Sequence, residues 1–255
     1  MQGLFRNPLV GPQVVGVSSG AAFGGTLAIL AGWQHLGLVG AAFAFGLSAL
    51  VLVWLLSAAV SRSSILVLVL AGVVVSGFFG ALVSLVQFLA DSQDTLPVIV
   101  FWLLGSFATA DADKVALLAG PIIGCGAVLL ALRWRINILS MGDEDARALG
   151  VPVAGLRWLL LVLTALIVSA QVAVSGMIGW VGLVVPHLAR MLVGADHRVL
   201  LPASALLGGT FLLLVDDVAR SISASEIPLG ILTALIGTPI FAVLLWRTRE
   251  RRSDG

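Results

Sequence analysis

The chain has 255 residues, of which 60% are hydrophobic and only 11% charged, and its formal net charge is +1. A soluble domain carries about 25% charged residues, so this composition excludes packing in water and makes lipid the solvent. The near-zero charge excludes a basic nucleic-acid groove, and one cysteine, Cys125 in an apolar run, excludes an internal disulfide.

A spanning helix needs about 20 mostly apolar residues. Eight segments qualify: 14–31, 36–60, 64–90, 114–132, 158–174, 177–193, 200–215 and 228–246, the sixth and seventh being short. Each is apolar on every side and none alternates strictly, which predicts helices rather than a barrel. The N-terminus, MQGLFRNPLVGP, has no basic region leading into an apolar core and no small-residue cleavage site, so it is not a signal peptide. Between the third and fourth segments, the apolar core 96–107 is too short to span. It predicts a re-entrant or interfacial helix, with Trp102 suited to the membrane interface.

Small residues recur at helical spacing in three stripes: Gly16, Gly20, Gly24 and Ala28; Gly40, Ala44 and Ser48; Gly72, Ser76, Gly80 and Ser84. Such stripes let helices approach closely in lipid. Each reads as tight packing or, more sharply, as a subunit seam or pore-facing surface.

The one strongly polar island in the middle of the chain, MGDEDARALGVPV, predicts a short helix over 142–150. Asp143, Glu144 and Asp145 sit where the helix dipole favours anions, and Arg147 lies in the last turn. Gly150 suits the C-terminal cap, and Pro152 blocks continuation. A solvated loop and a docking helix for a partner both fit, and a capped helix is a costly mere connector. The sixth segment, GMIGWVGLVVPHLAR, ends in Pro186, His187 and Arg190, which marks its exit from hydrocarbon. A buried imidazole at His187 is expected to be hydrogen-bonded and structural. Asp216 and Asp217 lie at i−4 and i−3 from Arg220, close enough for either to pair with it. A local ion pair, a docking charge for an external partner and a proton relay are the three readings.

Placing both termini in the cytoplasm puts Arg6, Arg62, Arg133, Arg135, Arg147, Arg157, Arg190, Arg198, Arg247, Arg249, Arg251 and Arg252 inside, and only Lys114 and Arg220 outside. A P-loop needs a lysine before Ser or Thr. The one lysine, Lys114, is preceded by Asp113 and followed by valine, so the chain does not hydrolyse ATP by that route. His35, His187 and His197 are scattered, without the spacing of metal ligands.

Four stretches carry a resemblance. NPLVGPQVVGVSSGAAFGG, FWLLGSF and MGDEDARALGV resemble, in order, signatures of the FecCD-type permeases of binding-protein-dependent ABC importers. The set GWVGLVVPHLAR, GADHRVLLPASALLGG and EIPLGILTALIGTPIF resembles that family's C-terminal core. The resemblance implies an all-α, polytopic membrane bundle: about eight spanning helices, a short outer re-entrant helix and a cytoplasmic coupling helix in a single permease domain over 1–255. It implies a permease homodimer in a bacterial or archaeal inner membrane, two ATPase subunits below and an extracytoplasmic substrate-binding protein above. ATP and magnesium would reside on the ATPase, and this chain would bind no cofactor or metal and carry no catalytic residue.

By the same resemblance, Asp143, Glu144, Asp145, Ala146, Arg147, Ala148, Leu149 and Gly150 couple to the ATPase. Asn7, Leu9, Ser63 and Ser64 form the cytoplasmic gate, and Arg220 meets an acid of the binding protein. The family imports ferric siderophores, haem and vitamin B12, and some relatives move molybdate or tungstate; an iron chelate is the expectation. Its members have ten helices and the first two are absent here, which implies a mis-called start or a truncated gene. An ion-driven secondary transporter or channel, and an inactive fragment, are the competing readings.

Overall fold

The computed structural model describes residues 1–7, 10–61, 64–222 and 226–253. Among them are twelve α-helices and no strand. A four-residue helix α1 (Gln2–Phe5) and a 3-10 turn (Pro12–Val15) precede α2 (Val17–Leu30), α3 (Leu36–Val60) and α4 (Ile65–Leu89). Then come α5 (Thr95–Leu104), α6 (Ala112–Ala131), α7 (Arg133–Met141) and α8 (Asp143–Ala148). The chain ends with α9 (Val153–Ser175), α10 (Val181–Val193), α11 (His197–Ile222) and α12 (Leu229–Ser253).

Each of the eight expected segments contains a helix, but their lengths differ from the apolar count. Among the described residues five helices, α3, α4, α6, α9 and α11, are long and apolar enough to cross a membrane. The first helix starts at Val17, not residue 14, because Pro12–Val15 winds as a 3-10 turn closed by Gly16 at φ 77°. The sixth starts at Val181, not 177, because Gly176 and Trp180 hold φ of 69° and 66° and break the winding. At about 1.5 Å per residue, its 13 residues reach only about 20 Å. The seventh, expected to be short, runs 26 residues, since its polar ends are helical too. Helix α7 was not expected at all. Its arginines hide an apolar face, on which Ile136, Ile138 and Leu139 are buried.

Glycine decides the tightest contact. A methyl group on Gly20 or Gly24 of α2 would overlap the Phe45 or Ala41 carbonyl of α3. The first stripe is therefore a packing seam, as lipid-embedded helices require. The second stripe points away: Gly40 and Ala44 are exposed, and α3 buries Ala42, Gly46, Ala49, Val53 and Ser57 instead. In the third, Gly72 seats the Val14 carbonyl, whereas Gly80 and Ser84 lie exposed.

The main apolar core joins α2, α3, α4, α7, α8 and α9. A smaller cluster of Val215, Ala219, Leu229 and Leu232 holds α11 to α12. Large apolar side chains such as Phe88, Ile123 and Leu206 are exposed on the flanks of α4, α6 and α11, as expected for surfaces solvated by lipid. Polar structure gathers at the two ends. One end carries α1, α7 and α8; the other carries α5 and the segments around residues 105, 176 and 228.

Candidate functional site

Helix α8 is bounded by two glycines. Gly142 enters it at φ 149° and Gly150 leaves it at φ 77°, conformations that a side chain disfavours. At its end the Val151 N–H donates to the Ala146 carbonyl and the Gly150 N–H to the Arg147 carbonyl, both at 2.9 Å. This is a Schellman cap, and its apolar contact pairs buried Val151 with buried Ala146. One side of α8 therefore faces inward. Asp143 also turns that way, where Arg157 Nη2 donates to its two carboxylate oxygens at 2.8 and 2.9 Å. Arg147 lies 3.8 Å from the same carboxylate. Glu144, Asp145, Arg147, Ala148, Leu149 and Gly150 are exposed, and Leu149 keeps 60% of its surface.

The N-terminal turn lies beside α8. Arg6 Nη1 would stand 3.4 Å from a methyl group on Gly142. The Asn7 N–H donates to the Gln2 carbonyl at 3.1 Å, and its carbonyl accepts from Val10 at 3.3 Å. Ser64 caps α4, its hydroxyl accepting the Val67 N–H at 3.4 Å. Leu9 and Ser63 lie outside the described residues. Pro186, His187 and Arg190 are half-buried on α10, which runs on through the proline to Val193. No described residue hydrogen-bonds His187 Nδ1, so the expected partner of that imidazole is not found.

A polar node missed by the sequence reading sits at this same end. Asn137 Oδ1 accepts the His197 backbone N–H and faces His197 Nδ1, each at 2.7 Å. Nδ1 must then carry the proton. Asn137 Nδ2 donates to Asp196 Oδ1, which also accepts the Arg198 N–H at 2.9 Å. The Arg198 amide first, and Asn137 next, hold the Asp196 carboxyl below the usual carboxylate range. An aspartate just ahead of a helical run was the readable signal. Because the folded group is the stronger acid, its contribution is present above the ordinary aspartate range and lost as pH falls through the lowered value. Asp196→Asn should therefore flatten the acid limb of stability against pH, read by thermal unfolding in detergent; an unchanged acid limb would count against this node.

At the opposite end, Arg220 is already engaged. Its Nε donates to Asp216 at 2.9 Å, Nη1 lies 3.0 Å from Glu226 and Nη2 donates to the Phe107 carbonyl at 3.3 Å. Asp216 is thus a partner, and the residue still keeps 44% of its side chain exposed. Nearby, three glycines from distant parts of the chain meet. Gly105 holds φ 72° after α5, Gly176 holds φ 69° after α9, and Gly230 starts α12. A methyl on Gly176 would overlap the Trp102 carbonyl, and one on Gly230 the Leu104 carbonyl. The Ser106 N–H donates to the Ser175 carbonyl at 3.0 Å and the Leu229 N–H to the Gly105 carbonyl at 2.8 Å. The ring of Trp102 is half-buried on Gly25 of α2. Beside this junction lies a cavity of about 850 Å³, lined in part by Trp33, His35, Phe101 and Lys114.

Residues 1–247 match the FecCD transport family. The chain is 53% identical over 250 residues to the molybdate import system permease protein of Haemophilus influenzae, covering 98% of this chain and 74% of that protein. It is 42% identical over 254 residues to the cobalamin import system permease protein of Halobacterium salinarum, covering 99% and 68%. A solved inward-facing structure of a transporter assigned to the metal-chelate ABC type superposes with a TM-score of 0.92 at 53% identity, covering 96% of this chain and 79% of that one. The chain belongs to the FecCD transport family and is a multi-pass membrane permease subunit of an ABC importer.

Proposed function

We propose that two copies of this chain enclose a translocation path driven by two ATPase subunits that dock on α8. The observation that carries the reading is α8 itself. It is glycine-stopped at both ends, anchored from behind through Asp143, and exposes Leu149 among Glu144, Arg147 and Ala148. An exposed leucine at the end of a charged helix suits a protein partner. ATP and magnesium belong to that partner. The α8 end is then cytoplasmic, with Asn7, Leu9, Ser63 and Ser64 as the gate there. A substrate-binding protein meets the opposite end, where Arg220 keeps exposed surface for an acid of that partner. The exposed side of α4, where Gly77, Gly80 and Ser84 leave room, suits the path or the seam between copies.

For the cargo, the 53% identity to a molybdate permease, against 42% to a cobalamin permease, favours a small oxyanion over the iron chelate expected from sequence. The test is ATP-dependent uptake of radioactive molybdate, and of a ferric siderophore, by proteoliposomes holding this chain with the ATPase encoded beside it. Arg147→Glu should lower coupled uptake about tenfold while leaving helical content intact. Unaltered coupled uptake would remove the docking role. Uptake that ignores loss of the ATPase and collapses with a protonophore would mean an ion-driven carrier.

A further inference from the structure

We infer that Arg157 joins α8 and α9 into one lever, which delivers displacement of α8 to the glycine junction at the far end of the bundle. The inference rests on the reading that α8 receives the ATPase. Arg157 lies in the first turns of α9 with its side chain 4% exposed, and one nitrogen, Nη2, holds both oxygens of Asp143. The link from α8 to α9 is short and seated: Val151 and Val153 are buried and Pro152 fixes its own φ at −74°. The link from α7 to α8 is the single residue Gly142. Helix α8 is thus tied to α9 by the ion pair and the seated link, while it also packs on α7.

The lever is stiff. Helix α9 has 23 residues, about 34 Å at 1.5 Å each. It holds no proline, and no glycine beyond Gly155. Helices α6, α10, α11 and α12 each contain an internal proline, a common cause of kinks. Buried residues run along α9 from Val153 to Ser175. Its far end is sealed and attached. Gln171 Nε2 donates to Ser175 Oγ at 2.9 Å and to the Gly176 carbonyl at 3.0 Å, and the Ser175 carbonyl accepts the Ser106 N–H. Motion of α9 along its axis therefore bears directly on the loop after α5 and, through Gly105, on the start of α12.

A merely structural ion pair would give the same contacts, so the test must separate coupling from folding. Arg157→Met removes the buried cation and leaves the part-exposed Asp143 with Arg147, 3.8 Å away, as its partner, so the variant should fold. The complex with the ATPase is purified in a Cys125→Ser background carrying an environment-sensitive fluorophore at Thr109→Cys, an exposed site beside the junction. The Arg157→Met variant should bind the ATPase normally and hydrolyse ATP, since every side chain of α8 is unchanged. Its molybdate transported per ATP should fall about tenfold, within the usual range of coupling between distant sites, and the ATP-dependent probe signal should vanish. Arg157→Lys, with Asp143 intact, should retain both, since a single nitrogen makes both bonds to Asp143. Normal transport per ATP with a normal probe signal in the Arg157→Met variant would overturn the lever. Failure of the unaltered chain to hold the ATPase would overturn both the lever and the docking role. If Arg157→Met does not fold, Arg157→Gln takes its place and the same readings decide.

Discussion

Gly176→Ala is expected to cost about 2–6 kcal/mol of stability and to abolish transport. Two separate penalties meet there. The backbone stands at φ 69° and ψ −165°, a region essentially confined to glycine, where a residue with a Cβ loses about 1–3 kcal/mol. The added methyl would also overlap the Trp102 carbonyl and lie 3.0 Å from the Gly105 Cα, and overpacking against backbone costs about 1–3 kcal/mol. Neither obstacle is the flexible end of a side chain, so neither can rotate away. Thermal unfolding in detergent measures the loss. Gly179→Ala is the control, because its methyl would meet nothing nearer than Gln13 Nε2 at 3.7 Å. Equal stability of the two variants would show that the junction yields.

The second large effect has opposite signs on glycines that look alike in sequence. Gly20→Ala and Gly24→Ala should each destabilise by about 1–3 kcal/mol, by pushing α2 off the carbonyls of Phe45 and Ala41. Gly40→Ala and Gly80→Ala meet open space, so they should be neutral or gain up to about 1 kcal/mol from helix propensity. Folded yield and thermal unfolding of the four variants decide it. Loss of stability at Gly40 or Gly80 in the isolated chain would contradict the packing described.

These glycines mark the limit of what the sequence made legible. Spacing tells which residues share a helix face but not what lies opposite, so the three stripes read alike although only the first is a continuous seam. The spans were legible because lipid demands long apolar runs. Their true ends were not, since Trp180 breaks a helix by its backbone angle alone and His197 begins one despite its polarity. Helix α8 was legible because glycine, proline and charge punctuate it locally. Its anchor was not: Arg157 counted only as a positive charge near the membrane, and its partner Asp143 lies across a turn. Gly105, Gly176 and Gly230 are far apart along the chain, and only the fold brings them together.

The two glycine stops around α8 also fix its phase. Neither Gly142 nor Gly150 can be taken into the helix without giving up its own backbone conformation. The number of residues between them therefore sets the compass bearing of the exposed side relative to α9. Each added residue turns an α-helix by about 100°, so one insertion would swing Leu149 well round from its present bearing with every side chain conserved. The bearing of this surface is specified by counting, and chemistry only decorates it.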